Sequence, residues 1–474
     1  MQNRYSQAET AERLLVTPRP DGSARPSHEL GRDSLPPTQA IENAPLNSFH
    51  KRLTVYSAGG PFLDGYVLSI IGVALVQITP QLHLSASWQG LIGAAALIGM
   101  LAGGFVGGWL TDKFGRQVLY TLDLLAIIVC SVAQFWVNDA ASLCILRLLM
   151  GIAVGADYPI ATSLLTEFTP VRYRAPLLGI LIAMWFIGAA VAYMVGEWLL
   201  HVGPDGWRWM LASAALPATL FVIMRHGTPE SPRWLIEKGR LAEAAAVIKR
   251  VYGESAGYLP PSVSGKEEDR VNVSALFRSG YGSRMLFIVT FWTCSIIPIF
   301  AVYAFGPKLL GALGLTGDLG NMGSALIATL FLIGSVVPLF AINRLGRRWV
   351  LLHSFLWSGL SLLLLGLFPN SPPWAVLVLF SAYALFIGGT QVLCWVYPNE
   401  LFPTAIRATA VGLATSITRI GAAVGTYLVP ISIDALGIRA TMLIAAGITL
   451  AGFAVSVRVA PETSHLGLEE CGKL

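Results

Sequence analysis

Twelve apolar stretches recur along this chain of 474 residues, each long enough as a helix to cross a hydrocarbon core about 30 Å thick. They fall at 53–79, 86–110, 117–137, 141–165, 176–200, 207–225, 285–310, 320–342, 349–369, 373–397, 406–430 and 436–458. Lipid offers the backbone no hydrogen-bond partners, so each stretch must cross as a helix whose N–H and C=O groups satisfy one another. Only 12% of the residues are charged, against roughly 25% in a soluble domain, and that charge is gathered between the spans. The sequence therefore predicts an all-α membrane protein. A six-helix bundle over 51–225 and a second over 285–458 are joined by a polar stretch at 226–284 and flanked by tails at 1–50 and 459–474.

The two bundles echo each other. GGWLTDKFGRQ (107–117) returns as FAINRLGRRWV (340–350), and the segment from Glu167 to Arg174 returns from Glu400 to Arg407. The offsets are 231 from Gly115 to Gly346 and 233 from Glu167 to Glu400. Two pseudo-symmetric halves in an apolar chain are a common plan of secondary transporters, with the substrate site between the repeats.

Short loops rich in Lys and Arg stay in the cytoplasm. Lys113, Arg116, Arg172, Arg174, Arg344, Arg347, Arg348 and Arg407 lie in alternate loops, and the 226–284 stretch adds more; Arg208 and Arg439 are the exceptions on the other side. Both termini are thus expected in the cytoplasm. The net charge of +5 reads as a topology signal rather than a nucleic-acid footprint, which would cluster on one face of a soluble domain. Residues 1–50, rich in Pro, Ser, Arg and Glu without a long apolar core, read as a disordered cytoplasmic tail rather than a signal peptide. In the connecting stretch, Ser231-Pro232 opens a short helix that Gly239 ends, and Leu241, Ala244, Ile248 and Val251 mark the apolar stripe of a second. Cys130, Cys144, Cys294, Cys394 and Cys471 show neither a disulfide framework nor metal-ligand spacing, and no cofactor or metal is expected.

The motifs resemble those of the major facilitator superfamily. Gly108, Asp112, Lys113, Gly115 and Arg116 fit its G-x-x-x-D-(R/K)-x-G-R loop, and Arg147-x-x-x-Gly151-x-x-x-Gly155 fits its fourth-helix signature, whose small residues let helices approach closely. PESPRWL (229–235), PETS (461–464) and GWRWMLA (206–212) resemble marks of its sugar-porter branch. The resemblance implies a conformational latch built from these loop residues with Glu167, Arg174, Arg344, Gly346, Arg347, Glu400 and Arg407. The loop motif occurs in transporters of unrelated substrates, so it reports mechanism and not cargo.

Charges inside the membrane cost at least about 2.5 to 3.5 kcal/mol and need a partner or a task. Asp64, Arg147, Asp157, Glu197 and Arg419 are the candidates. Asp64 stands in FLDGYVLSIIG, which resembles the acidic first-helix segment of proton-coupled sugar porters; that resemblance implies an Asp64/Arg147 pair as proton switch. The sixth span, LASAALP, lacks the acid that such porters carry there. Asp157, in GADYPIATSLLTE, is similar to an acidic position of phosphate-proton symporters and is a second proton-coupling candidate. The seventh span has neither the Asp of those symporters nor the Gln-Gln pair of sugar porters. Arg419, in SITRIGAAVG, resembles a cationic position of organic-anion transporters, and a guanidinium grips a carboxylate bidentately; pairing with Asp157 or another internal acid is the structural alternative. Gln391, Trp395, Tyr158, Tyr303 and Trp292 are the further substrate-binding candidates, with Trp185 and Tyr397 beside them.

The expectation is a proton-coupled symporter taking up a small organic metabolite, a carboxylate first, by alternating access. A sugar-proton symporter, a phosphate-proton symporter, a proton-driven exporter and a transporter-like sensor are the alternatives. No ATP-binding loop or catalytic constellation is present, so the reading is of a transporter and not an enzyme. Its partners would be substrate, protons and the lipid of a bacterial inner membrane, with no nucleic acid, and it would work as a monomer.

Overall fold

The structure, a computed structural model, describes residues 45–253, 281–316, 318–402 and 404–463, apart from a few side chains within helices. Most of both expected tails and residues 254–280 of the connecting stretch lie outside these residues. Among the described residues the chain is helical throughout, without strands. The first half runs α1 (Ser48–Gln81), α2 (Ala86–Phe114), α3 (Arg116–Ala133), α4 (Ala140–Phe168) and α5 (Val171–Leu200), then a sixth span broken into α6 (Gly206–Ser213) and α7 (Ala215–Arg225). Two short helices follow, α8 (Pro232–Glu237) and α9 (Leu241–Tyr252). The second half holds α10 (Gly282–Ala312), α11 (Asp318–Leu345), α12 (Arg347–Leu367), α13 (Pro373–Leu401) and α14 (Thr404–Val459). The last is two spans joined at Gly437, where φ is +78°.

Local sequence sets these boundaries. Asn47, Ser85 and Asp139 accept hydrogen bonds from the first turns of α1, α2 and α4, satisfying N–H groups that no intrahelical carbonyl can reach. Ser231 caps Trp234 at the start of α8. In α9 the stripe expected from the sequence is buried at Ala244, Ile248 and Val251, while Leu241 at its first turn stays exposed.

The Arg147 motif acts through close approach. A Cβ added at Gly151 would overlap the Ala96 carbonyl oxygen of α2, and one at Gly155 would overlap that of Met100. The glycine ridge of α4 is therefore seated directly on the backbone of α2. The two halves meet where α1 faces α10, α2 faces α14 and α5 faces α11. One end of the bundle carries the two motif loops at Gly115 and Gly346 and is called the latch end below; the other is the far end.

Candidate functional site

A cavity with about 80 Å³ open to water lies between the halves. The first half contributes Pro61 and Asp64 from α1 and Leu181, Ile182, Trp185 and Phe186 from α5; the second contributes Trp292, Ile296, Ile299 and Phe300 from α10, Gln391 and Trp395 from α13, and Thr418 and Arg419 from α14. Five of the residues singled out from sequence, Asp64, Arg419, Gln391, Trp292 and Trp395, thus meet at one place, with Trp185. The remaining wall is aliphatic and aromatic, a low-dielectric lining in which a few polar groups fix orientation.

Two opposite charges face this space, one from each half. Asp64 is 4% exposed, and Arg419 is the cation whose charge acts on it, with the Trp185 side chain beside it. Asp64 Oδ1 and Arg419 Nη1 are both buried without a hydrogen-bond partner, so the site holds unspent acceptor and donor capacity. Phe300 lies under the guanidinium, 5.5 Å from Cζ to ring centroid, which favours a cation over an aromatic face. Opposite, Trp292 and Trp395 pack edge to face at 5.7 Å, and Gln391 Nε2 donates to Ser295 Oγ at 3.3 Å.

Other sequence candidates lie elsewhere. The expected Asp64/Arg147 pair is not formed: Arg147 is enclosed between α1 and α2, where Nε donates to the Ile92 carbonyl at 3.1 Å and Nη2 to the Val67 carbonyl at 3.3 Å. Backbone carbonyls, and not the carboxylate, satisfy that guanidinium. Asp157 does not reach Arg419 but binds Arg225 Nη1 at 2.6 Å. Tyr303 packs behind Trp185, with ring centroids 5.1 Å apart, and lines a separate small void with Tyr193 and Phe331. Tyr397 donates to the Pro461 carbonyl at the latch end, away from the cavity. The Tyr158 side chain is outside the described residues.

The latch loops form two equivalent clusters. Arg116 Nη2 bonds Glu167 Oε1 at 3.2 Å in the first half, and Arg347 Nη2 bonds Glu400 Oε1 at 3.1 Å in the second. Gly115 and Gly346 turn with φ of +99° and +89°, a region closed to most side chains. Directly after each turn, an acid from the sugar-porter motifs takes the first N–H groups of the next helix. Glu230 accepts from Arg116 and Gln117, both at 3.0 Å, and Glu462 accepts from Arg347 and Arg348 at 2.9 and 3.0 Å. A carboxylate there satisfies orphan donors and complements the helix dipole. Lys113 lies over the Trp109 ring and Arg344 is exposed; the side chains of Asp112, Arg174 and Arg407, and the Gly108 position, are outside the described residues.

At the far end the halves are tied together. Pro307 has no N–H to offer the Tyr303 carbonyl, and Phe305 departs from helical geometry at φ −136° and ψ 22°. The Tyr193 hydroxyl of α5 donates across to the carbonyls of Tyr303 and Val302, at 2.8 and 3.1 Å. Lys308 adds a second tie, donating to Gln89 of α2 at 2.8 Å. Among the described residues the latch-end ion pairs Arg116–Glu167 and Arg347–Glu400 each stay within one half, while the Tyr193 and Lys308 ties join the halves at the far end.

Two helical halves of like construction enclosing a charged cavity define a transporter of the major facilitator type. Comparison with known proteins agrees: the sequence profile of the "Sugar (and other) transporter" family matches residues 47–474, and the chain belongs to that family. It is 44% identical over 439 residues to YaaU of Escherichia coli (strain K12), covering 92% of this chain and 98% of YaaU. To the inner membrane metabolite transport protein YgcS of the same organism it is 38% identical, covering 92% and 96%. Among solved structures, a partially occluded inward open conformation of the xylose transporter XylE from E. coli superposes with a TM-score of 0.75 at 21% identity, over 89% of this chain and all of that one. The protein is a multi-pass membrane transporter and not an enzyme.

Proposed function

We propose that the chain is a proton-coupled symporter that takes up a small organic metabolite, a carboxylate first, by alternating access. The observation that carries this reading is the pairing of an unsatisfied acid and an unsatisfied guanidinium across one cavity, Asp64 from the first half and Arg419 from the second. A bound carboxylate would take Arg419 Nη1 and end the attraction that Asp64 supplies. Protonation of Asp64 would then remove the remaining charge, so substrate and proton favour each other and the loaded site crosses without net cost. A 28% identical relative named arabinose-proton symporter, from Bacillus subtilis (strain 168), supports proton coupling in this branch.

A neutral sugar is the second reading, favoured by the Trp292/Trp395 pair and the Gln391 amide, which suit the face and hydroxyls of a sugar ring. Thermal unfolding of the purified protein with panels of monocarboxylates, aromatic acids, sugar acids, phosphate and neutral sugars separates the two, since a bound ligand raises apparent stability. Shifts from anions alone, abolished in Arg419→Ala, are expected. Equal shifts by neutral sugars in both proteins would transfer the site to the sugar reading. The same proposal sets the latch end in the cytoplasm of a bacterial inner membrane, with both tails there and the 226–284 stretch joining the halves. The Asp112 loop and its counterpart at Arg344 and Arg347 bias the two states, and a monomer is the working unit.

A further inference from the structure

Behind the cavity, toward the latch end, the first half buries a second charged group that the cavity chemistry does not use. Arg225, the last residue of α7, places one guanidinium nitrogen, Nη1, 2.6 Å from Asp157 Oδ1 of α4 and 3.6 Å from Asp123 Oδ1 of α3. All three side chains are closed to solvent, at 2%, 2% and 6% exposure for Arg225, Asp157 and Asp123. The guanidinium is held by one face and two nitrogens: it lies 3.7 Å over the Tyr120 ring, and Nε and Nη1 donate to the carbonyls of Tyr56 and Tyr120 at 3.2 and 2.7 Å. Yet Asp123 Oδ2, Asp157 Oδ2 and Arg225 Nη2 are buried with no hydrogen-bond partner. Two carboxylates therefore face one cation, with an acceptor oxygen left over on each.

We infer that Asp123 and Asp157 share one proton beside Arg225 and form a second proton-binding site, distinct from Asp64. With both carboxylates ionised, one buried negative charge would lack a counter-charge, whereas a single proton held between them neutralises it and supplies the missing donor. The titratable groups facing the pair are few. Arg225 comes from α7, and Tyr120 from α3 with its hydroxyl engaged 3.0 Å from Ser57 Oγ; Asp64 of α1 acts on Asp157 by its charge. A metal ion would be set against the guanidinium, while a proton needs no further ligand. The pair also packs against α1, the helix that carries Asp64. A Cβ at Gly60 of α1 would overlap Asp157 Oδ2, so this oxygen occupies the notch one helical turn from Asp64. Displacement of α1 during transport would change the surroundings of both acids together.

Infrared spectroscopy of the purified full-length protein at neutral pH, with and without carbon-13 aspartate, tests the site. The carbonyl stretch of a protonated aspartic acid should appear in the wild-type minus Asp123→Asn and wild-type minus Asp157→Asn difference spectra, with the whole band lost in either variant and retained in Asp64→Asn. A band that survives in both pair variants, or that only Asp64→Asn removes, overturns the assignment. Should the variants not fold, the wild type decides alone: the absence of any labelled aspartic-acid band at neutral pH overturns it equally. Because the band is read without substrate, failure of the pair and failure of the coupling role at Asp64 are distinguishable.

Discussion

Arg419 and Asp64 carry the cargo reading, and each answers to a substitution that preserves size or charge. Arg419→Lys keeps a cation at the cavity wall but gives up the planar fork and its packing on Phe300. Loss of one charge-assisted hydrogen bond, about 1.4 kcal/mol, corresponds to a tenfold weaker Kd for an anionic ligand, readable by calorimetry with whichever anion shifts the wild type. A Kd unchanged in Arg419→Lys would assign ligand recognition to charge alone. Asp64→Asn, nearly isosteric, is expected to bind ligand and exchange it across vesicles while losing accumulation driven by a proton gradient; accumulation equal to the wild type would remove Asp64 from coupling. The same scale explains what sequence conceals. Asp64 and Arg419 are legible as charges in apolar spans, which lipid makes costly. Asp123 in TLDLLAIIVC has that signature equally but gives no hint of its partner, because Arg225 is the last residue of a span far along the chain. Aromatics are no better marked: Trp292 and Trp395 line the cavity while Tyr303 and Tyr397 do not, and nothing local distinguishes them.

Helices are the part of this protein that sequence specifies best, since length and hydropathy in lipid leave the backbone one solution. Their joints are less visible. The sixth span runs as two helices either side of Ala214, whose backbone stays helical, and the last two spans part at Gly437, whose φ of +78° leaves the helical region. The fit of α4 to α2, by contrast, follows from the four-residue spacing of Gly151 and Gly155. Gly151→Val would force branched methyls into the Ala96 carbonyl, an overpacking that costs about 1–3 kcal/mol or more. A lower yield of folded protein and an earlier melting transition are expected; wild-type melting would mean that α2 and α4 separate freely. The caps at the latch end are a second joint that the motif strings alone do not explain. Glu462→Gln removes the charge that serves two N–H groups of α12, and hydrogen bonds to charged groups are worth about 1.5–3 kcal/mol each at most. Faster amide exchange confined to the first turn of α12 is the expected result, with Glu230→Gln acting likewise on α3 and leaving α12 untouched.

At the scale of the whole molecule the two halves are alike in construction and unlike in how their ends are held. The capping acids, the turning glycines and the Arg–Glu pairs repeat between halves, so neither cluster by itself favours one direction of opening. The asymmetry comes from the far end, where the Tyr193 hydroxyl of α5 reaches the Val302 and Tyr303 carbonyls of α10, the second of which Pro307 deprives of its helical donor. That tie couples a local defect to a global state, since the Tyr303 carbonyl has the Tyr193 donor only while the halves stay closed there. Tyr193→Phe keeps the ring and deletes the donor, leaving the buried Tyr303 carbonyl to seek water. Losing about 1–2 kcal/mol from the state closed at the far end moves the ratio of the two states by a factor of roughly 5 to 30 toward opening there. Spin labels placed on exposed far-end loops of each half report it directly as growth of a longer inter-half distance. A distance distribution identical to that of the wild type would show that the Lys308–Gln89 tie suffices, and Gln89→Ala in the same background should then produce the opening that Tyr193→Phe did not.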